Sequence, residues 1–273
     1  MNLKEALKFC TDYLSERNID ESEFKALCVV CFVGGIKNSE LYFSDKVIEE
    51  KDLLPYLKRL QNREPLQYIL GKWDFYESEF LVGDGVLIPR PETEELVDIA
   101  IKAAQALEEP VIYDLCAGSG CIGISIAKKL PKAKIYCVEK SEKAFEYLKK
   151  NAEGVDNVTL VLSDINNDLN LPRADIIVSN PPYIKTEEIK SLDKELFYEP
   201  LMALDGGEDG LDFYRIIRDK YLQKLKKNGI VLLEIGNEQG KDIMDMFTDS
   251  RECIGSIIDD IYGNQRIAFI ETR

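Results

Sequence analysis

The four residues Asn180-Pro181-Pro182-Tyr183 hold the densest chemical information in the chain. Consecutive prolines fix φ, and each keeps its predecessor extended. A rigid, non-helical loop is therefore expected directly after the strand-like run ADIIVS. Such a loop can offer the Asn180 side-chain oxygen and a main-chain carbonyl, that of Pro181, to the two N–H groups of an amide or aromatic amine. Nitrogen of this kind is a poor nucleophile because its lone pair is conjugated. Two fixed acceptors hold it facing an electrophile and favour the positive charge that develops on it. Tyr183 would add an aromatic wall beside the planar group. This chemistry needs no strong base, which matters because the chain contains no histidine. The same lack excludes Ser-His-Asp and Cys-His nucleophile systems and His-ligated zinc or iron.

A second constellation can supply the electrophile. VIYDLCAGSGCIGISIAKKL, starting at Val111, reads as a strand, a glycine-rich turn and a helix. Gly118, Gly120 and Gly123 satisfy G-x-G-x-x-G, and Glu139 ends the next strand. The glycines let backbone approach a ligand, while the carboxylate accepts ribose hydroxyls. That pattern alone does not separate a dinucleotide from S-adenosylmethionine. Asp114, four residues before Gly118, favours the second. An acid there serves a pyrophosphate badly but can support the loop and a methionyl ammonium. The run Asp114-Leu115-Cys116-Ala117-Gly118-Ser119-Gly120 also resembles motif I of S-adenosylmethionine-dependent methyltransferases. That resemblance places Asp164, at the end of VTLVLSD, against the adenine; the plainer alternative is that Asp164 caps a turn.

Positioning these loops requires alternating strands and helices. VIYDL, KIYCVE, VTLVLSD, ADIIVSN and GIVLLEIG read as strands, with a long amphipathic helix from Asp209 before the last of them. CIGSIID and QRIAFIE add two more. An α/β fold follows: a doubly wound, mostly parallel, seven-stranded sheet with ligands at the carboxyl ends of its strands. Upstream, WDFYESEFLV alternates as a hairpin would, and the prolines of IPRPETEELVDIAIKAA suit the start of a helix. Residues 1–70 look helical. Leu3, Ala6, Leu7, Cys10 and Leu14 mark one buried face, Asp20 with Glu23 resembles a capping box, and a third helix is expected over 47–60.

With 273 residues, 45% hydrophobic and 31% charged, the chain is in the range of a two-domain globular protein. Its net charge of −15 argues against a nucleic-acid-coating surface. Residues 1–70 are nearly neutral, which suits a protein-docking module. The seven cysteines are odd in number and scattered, so no disulfide framework is expected. Cys28 and Cys31, in the apolar run CVVCFV, are expected to pack as small hydrophobes. The N-terminus resembles no signal sequence, and no apolar stretch reaches the ~20 residues that span a bilayer. A cytoplasmic location and no membrane contact are expected. The glycines and acids of EPLMALDGGEDGLDFYR read as a cover beside the active site, since their spacing fails the EF-hand pattern.

REPLQYILG, LIPRPETEELV, EPLMALDGGEDGLDFYR and EIGNEQG stand in order around the two loops. Together with NPPY they closely resemble the HemK/PrmC family of release factor glutamine methyltransferases, from about Arg63 to the C-terminus. The resemblance implies methyl transfer from S-adenosylmethionine to the side-chain amide nitrogen of the glutamine in the GGQ motif of bacterial-type peptide chain release factors. It implies three regions: a helical release-factor-binding domain over 1–70, a β-hairpin linker over 71–86 and a methyltransferase domain over 87–273. Asn180, Pro181, Pro182 and Tyr183 would bind the glutamine amide. Asp114, Cys116, Ala117, Gly118, Ser119, Gly120, Glu139, Asp164, Ile165 and Asn180 would form the S-adenosylmethionine site. Pro89, Arg90, Pro91 and Glu92 would roof it. Two departures are slight: Ala117 stands where Thr is common, and Glu139 where Asp often is. The release factor is the expected partner, with a monomeric enzyme, no direct nucleic-acid contact and no metal. The competing expectation is an amino-methyltransferase acting on adenine or guanine in nucleic acid.

Overall fold

The computed structural model describes residues 1–249 and 252–273. The chain divides into two compact units. The first comprises Met1–Lys72 together with Asp193–Tyr198. Here α1 (Leu3–Ser15) is opened by a capping box in which Asn2 and Glu5 satisfy each other's backbone N–H groups. Leu3, Ala6, Cys10 and Leu14 form its buried face, with Leu7 only partly buried. The expected box at Asp20 and Glu23 does not form. Helix α2 (Ser22–Gly34) instead follows Glu21, which is left-handed and makes no side-chain cap. Cys28 and Cys31 lie in this helix half-buried, and burial pushes both thiols upward, Cys28 to about 11. The third helix, α3 (Glu50–Gln61), begins three residues later than its pattern indicates and buries Leu53, Leu57 and Leu60. The short α4 (Leu66–Leu70) follows.

The second unit comprises Trp73–Leu192 and Glu199–Arg273. A hairpin of β1 (Lys72–Phe75) and β2 (Ser78–Leu81) leads to α5 (Glu94–Ala104). Parallel strands and helices then alternate: β3 (Val111–Leu115), α6 (Cys121–Lys129), β4 (Lys134–Glu139), α7 (Glu142–Asn151), β5 (Val158–Leu162) and β6 (Ala174–Ser179). After a long loop come α8 (Asp212–Tyr221), β7 (Leu225–Glu234), α9 (Gly240–Thr248), β8 (Cys253–Asp259) and β9 (Gln265–Thr272). The seven-stranded sheet has the order β5-β4-β3-β6-β7-β9-β8, with β9 antiparallel to both its neighbours. The helix expected from Asp209 starts at Asp212 because Asp209 is used before it. Its carboxylate accepts the Leu211 N–H and pairs with Arg215.

Alternation along β3 separates two cores. Ile112 belongs to the apolar layer that includes Leu96, Val97, Ile122, Ile126 and Leu148 of α5–α7. Val111, Tyr113 and Leu115 face the opposite layer, which includes Tyr214, Ile217 and Tyr221 of α8 with Ile243 and Phe247 of α9. Burial on both faces is what near-continuous apolar strands of a parallel sheet require. The strand order reverses between β3 and β6, so the loops leaving their carboxyl ends diverge and open a crevice. Among the described residues, no helix is long and apolar enough to cross a membrane.

Candidate active site

That crevice holds a cavity of about 280 Å³, close to the lower end of small-molecule sites (~300–1,000 Å³). Its floor is the β3–α6 loop. Gly120 sits at φ +82°, and a Cβ there would collide with Leu148 Cδ1. A Cβ on Gly123 would lie 2.5 Å from Cys137 Sγ, so glycine lets α6 settle onto β3 and β4. Cys116 is held left-handed at φ +59°. For a non-glycine residue this costs about 1–2 kcal/mol, strain of the kind that clusters at ligand-binding loops.

Two carboxylates support the loop differently. Glu139, at the end of β4, is buried yet lines the cavity. Its Oε2 accepts the Gly118 N–H at 2.8 Å and its Oε1 the Ser141 N–H at 2.6 Å. Burial raises its titration point, opposed by these N–H groups. With about four lone-pair sites, the carboxylate has acceptor capacity beyond its backbone partners Gly118, Ser141 and Lys140. Asp114 shares the sheet face of Ile112 and lies fully buried beneath α6, where Oδ2 accepts the Gly123 N–H at 2.8 Å. Its Oδ1 has no hydrogen-bond partner. Burial pushes this carboxyl up to about 7.

Of the residues singled out by sequence, Cys116, Ala117, Gly118, Ser119, Glu139, Asp164, Ile165, Asn180 and Pro182 line one cavity. Asp114, Gly120, Pro181 and Tyr183 do not. Tyr183 packs at the edge of the α8–α9 core, and burial pushes its hydroxyl up to about 12. Phe213, at the start of α8, is the aromatic side chain that does line the cavity. Asp164 caps a turn, accepting the Asn166 N–H at 2.8 Å, and also borders the cavity. Partial burial opposes its ionisation, but Lys140 at 2.8 Å and the Asn166 N–H outweigh this and hold it below the usual carboxylate range.

The roof comes from IPRPETE and EPLMAL. Ile88, Pro89, Arg90 and Thr93 line the cavity, as do Pro200, Met202 and Ala203. Glu199, with its side chain only 2% exposed, joins the two segments. It accepts the Ile88 N–H at 3.0 Å and pairs with the Arg90 guanidinium. Asn180 Nδ2 donates to Thr93 Oγ1 at 3.3 Å, and Thr93 Oγ1 donates to Glu234 Oε2 at 2.6 Å. The motif segments contain Thr93, Glu199, Phe213 and Glu234, but nothing in the sequence separates these residues from their neighbours. A threonine directly before a helix reads as an N-cap, and Thr93 makes no such cap.

Comparison with known proteins finds relatives that span most of the chain. Residues 5–71 match the family model described as PrmC N-terminal domain, and residues 96–208 match the Methyltransferase small domain. A release factor glutamine methyltransferase from Thermodesulfovibrio yellowstonii is 38% identical over 89% of this chain and 90% of its own length. That of Geobacter sulfurreducens is 36% identical over 92% and 90%, respectively. Among solved structures, a release factor-specific protein-(glutamine-N5) methyltransferase from Alicyclobacillus acidocaldarius aligns at 28% identity and a TM-score of 0.45, over 71% of this chain and 99% of that one. Identity at this level across nearly the whole length of both sequences makes the present chain a member of the release factor glutamine methyltransferase family.

Proposed function

We propose that the chain methylates the side-chain amide nitrogen of the GGQ glutamine of a peptide chain release factor, using S-adenosylmethionine. The observation that carries this reading is the meeting of Asn180 and Pro182 with Gly118 and Glu139 around one cavity. The residues present suit the methyl donor. Glu139 has lone pairs for ribose hydroxyls, Ile165 and Asp164 can flank a purine, and Asp114, buried behind the loop, holds the start of α6 through the Gly123 N–H. When bound, the donor supplies a methyl group on a positively charged sulfur.

The chain's own residues then do the positioning. Asn180 Oδ1 and the Pro181 carbonyl accept the two N–H bonds of the glutamine amide and point its lone pair towards the donor. They also stabilise the charge that grows on nitrogen, and hold its protons until one leaves to solvent. Apolar walls from Val86, Ile88, Ile122 and Phe213 keep water from competing. A nucleic-acid acceptor is not favoured. The cavity is lined by two cations, Arg90 and Lys140, and each is paired with a carboxylate, Glu199 or Asp164.

The deciding experiment is transfer of labelled methyl to an unmethylated release factor, beside the same factor with its GGQ glutamine replaced. Label on the first alone is expected. No label on either, with donor binding confirmed, refutes the reading and directs the search to RNA and DNA. Asn180→Ala should fold and bind the donor but lose turnover by roughly 10²-fold, the scale of losing one positioned polar group.

A further inference from the structure

We infer that Thr93 and Glu234 are positioning residues that fix which end of the Asn180 amide faces the acceptor. The inference rests on the reading that Asn180 Oδ1 accepts an N–H of the substrate amide. A side-chain amide has a donor arm and an acceptor arm of nearly equal shape, so packing alone does not choose between them. A hydrogen-bond chain can choose, because a hydroxyl has a single proton. An ionised carboxylate only accepts. Glu234 Oε2 therefore claims the Thr93 proton at 2.6 Å, and Thr93 Oγ1 has only acceptor capacity left for Asn180. Nδ2 turns to Thr93 at 3.3 Å, which leaves Oδ1 for the other side.

The surroundings make this relay rigid. Thr93 and Glu234 are each only 2% exposed. The Tyr214 hydroxyl donates to the Glu234 carbonyl at 2.9 Å and anchors the end of β7. Thr93 forgoes capping α5, a role usually worth about 1 kcal/mol, and its hydroxyl serves the relay instead.

A relay set by a carboxylate has a pH limit. Burial raises Glu234 to about 6, with the Thr93 hydroxyl opposing; Arg266 and Arg90 also lower it, and Glu92 raises it. Tyr183 and Cys121 feel its charge as well, and both stay protonated through this range because burial raises them further. Below about pH 6 the Glu234 carboxyl gains a proton and can donate to Thr93. The Thr93 proton is then free to reach Asn180, and the amide no longer has a preferred orientation.

The test measures methyl transfer and donor affinity for wild type, Thr93→Val, Thr93→Ser, Glu234→Gln and Asn180→Ala. Thr93→Val and Glu234→Gln should lower kcat by on the order of 10-fold while donor affinity stays within about threefold, and Thr93→Ser should recover most of the rate. The acidic fall in kcat near pH 6 should be present in wild type and absent from Glu234→Gln. Wild-type kcat in Thr93→Val and Glu234→Gln beside a slow Asn180→Ala overturns the inference and leaves the proposed function standing. A fully active Asn180→Ala overturns both. A second measurement needs no turnover: the Asn180 side-chain amide resonances in asparagine-labelled protein, assigned with Asn180→Asp. They should titrate near pH 6 in wild type and stay flat in Glu234→Gln; a flat wild type refutes the relay.

Discussion

Asp114 shows how the burial of one acid makes stability depend on pH. Its carboxyl lies beneath the glycine loop with one oxygen on the Gly123 N–H and the other unpartnered. Burial raises its titration point from 3.8 to about 7, against the pull of that N–H. An acid raised on folding binds its proton more tightly in the native state. Between about pH 4 and 7 the unfolded chain therefore releases a proton that the folded chain keeps, and stability falls as pH rises. Asparagine at this position keeps an oxygen for Gly123 and carries no charge. Asp114→Asn should accordingly raise the denaturant midpoint at pH 8 and converge on wild type as pH is lowered to 5. An equal stability difference at both pH values would refute the account.

At the scale of elements, the Asn180–Tyr183 loop is fixed from behind by the segment that follows it. Ile184 N–H donates to Leu204 O at 2.9 Å, and Gly206 N–H returns to Ile184 O at 2.8 Å. Gln239 Nε2 donates to Tyr183 O at 3.0 Å. A Cβ on Gly206 would stand 2.7 Å from Tyr183 Cα and 2.9 Å from Pro182 O, both backbone, so one segment must move. Gly206→Ala should lower kcat by roughly 10- to 100-fold, as misplacing a substrate by about an ångström does, with donor affinity nearly unchanged. Equal loss of donor binding would show that the cover acts on the whole cavity. Sequence periodicity made the strands legible because each is a short apolar run between turns, and the glycine and proline loops because their backbones are restricted locally. The segments that roof the cavity were legible from the family resemblance, but the side-chain pairings within and behind that roof were not. Thr93 and Glu234 lie 141 residues apart, and each has an ordinary local explanation, a helix cap and a strand-end acid. The insertion of β9 between β7 and β8 is likewise a pairing choice with no local signal.

At the scale of the whole molecule, the helical unit is not one continuous stretch of chain, since it includes Asp193–Tyr198. Two side-chain interactions among the described residues tie that short return to the helices. The Tyr198 hydroxyl donates to Asn62 O at 2.8 Å, and Lys25 Nζ pairs with Glu195 Oε1 at 3.0 Å. The Lys25 side chain is only 8% exposed and that of Glu195 39%. Removing the carboxylate leaves an ammonium group largely out of water with its counter-charge gone. For a fully buried pair this costs about 3–5 kcal/mol; the half-open Glu195 reduces it to about 1–2 kcal/mol. Adding Lys25→Met removes the stranded charge and keeps most of the apolar contact, so the double variant should be more stable than Glu195→Ala alone. Hydrogen exchange should locate the loss, rising in α1 and α2 of Glu195→Ala while the amides of β3 and β6 keep their protection. Each unit is compact by itself, and exchange is governed by the opening of each cooperative unit. A uniform rise across both would mean that they unfold as one, and that the return segment stabilises the chain as a whole.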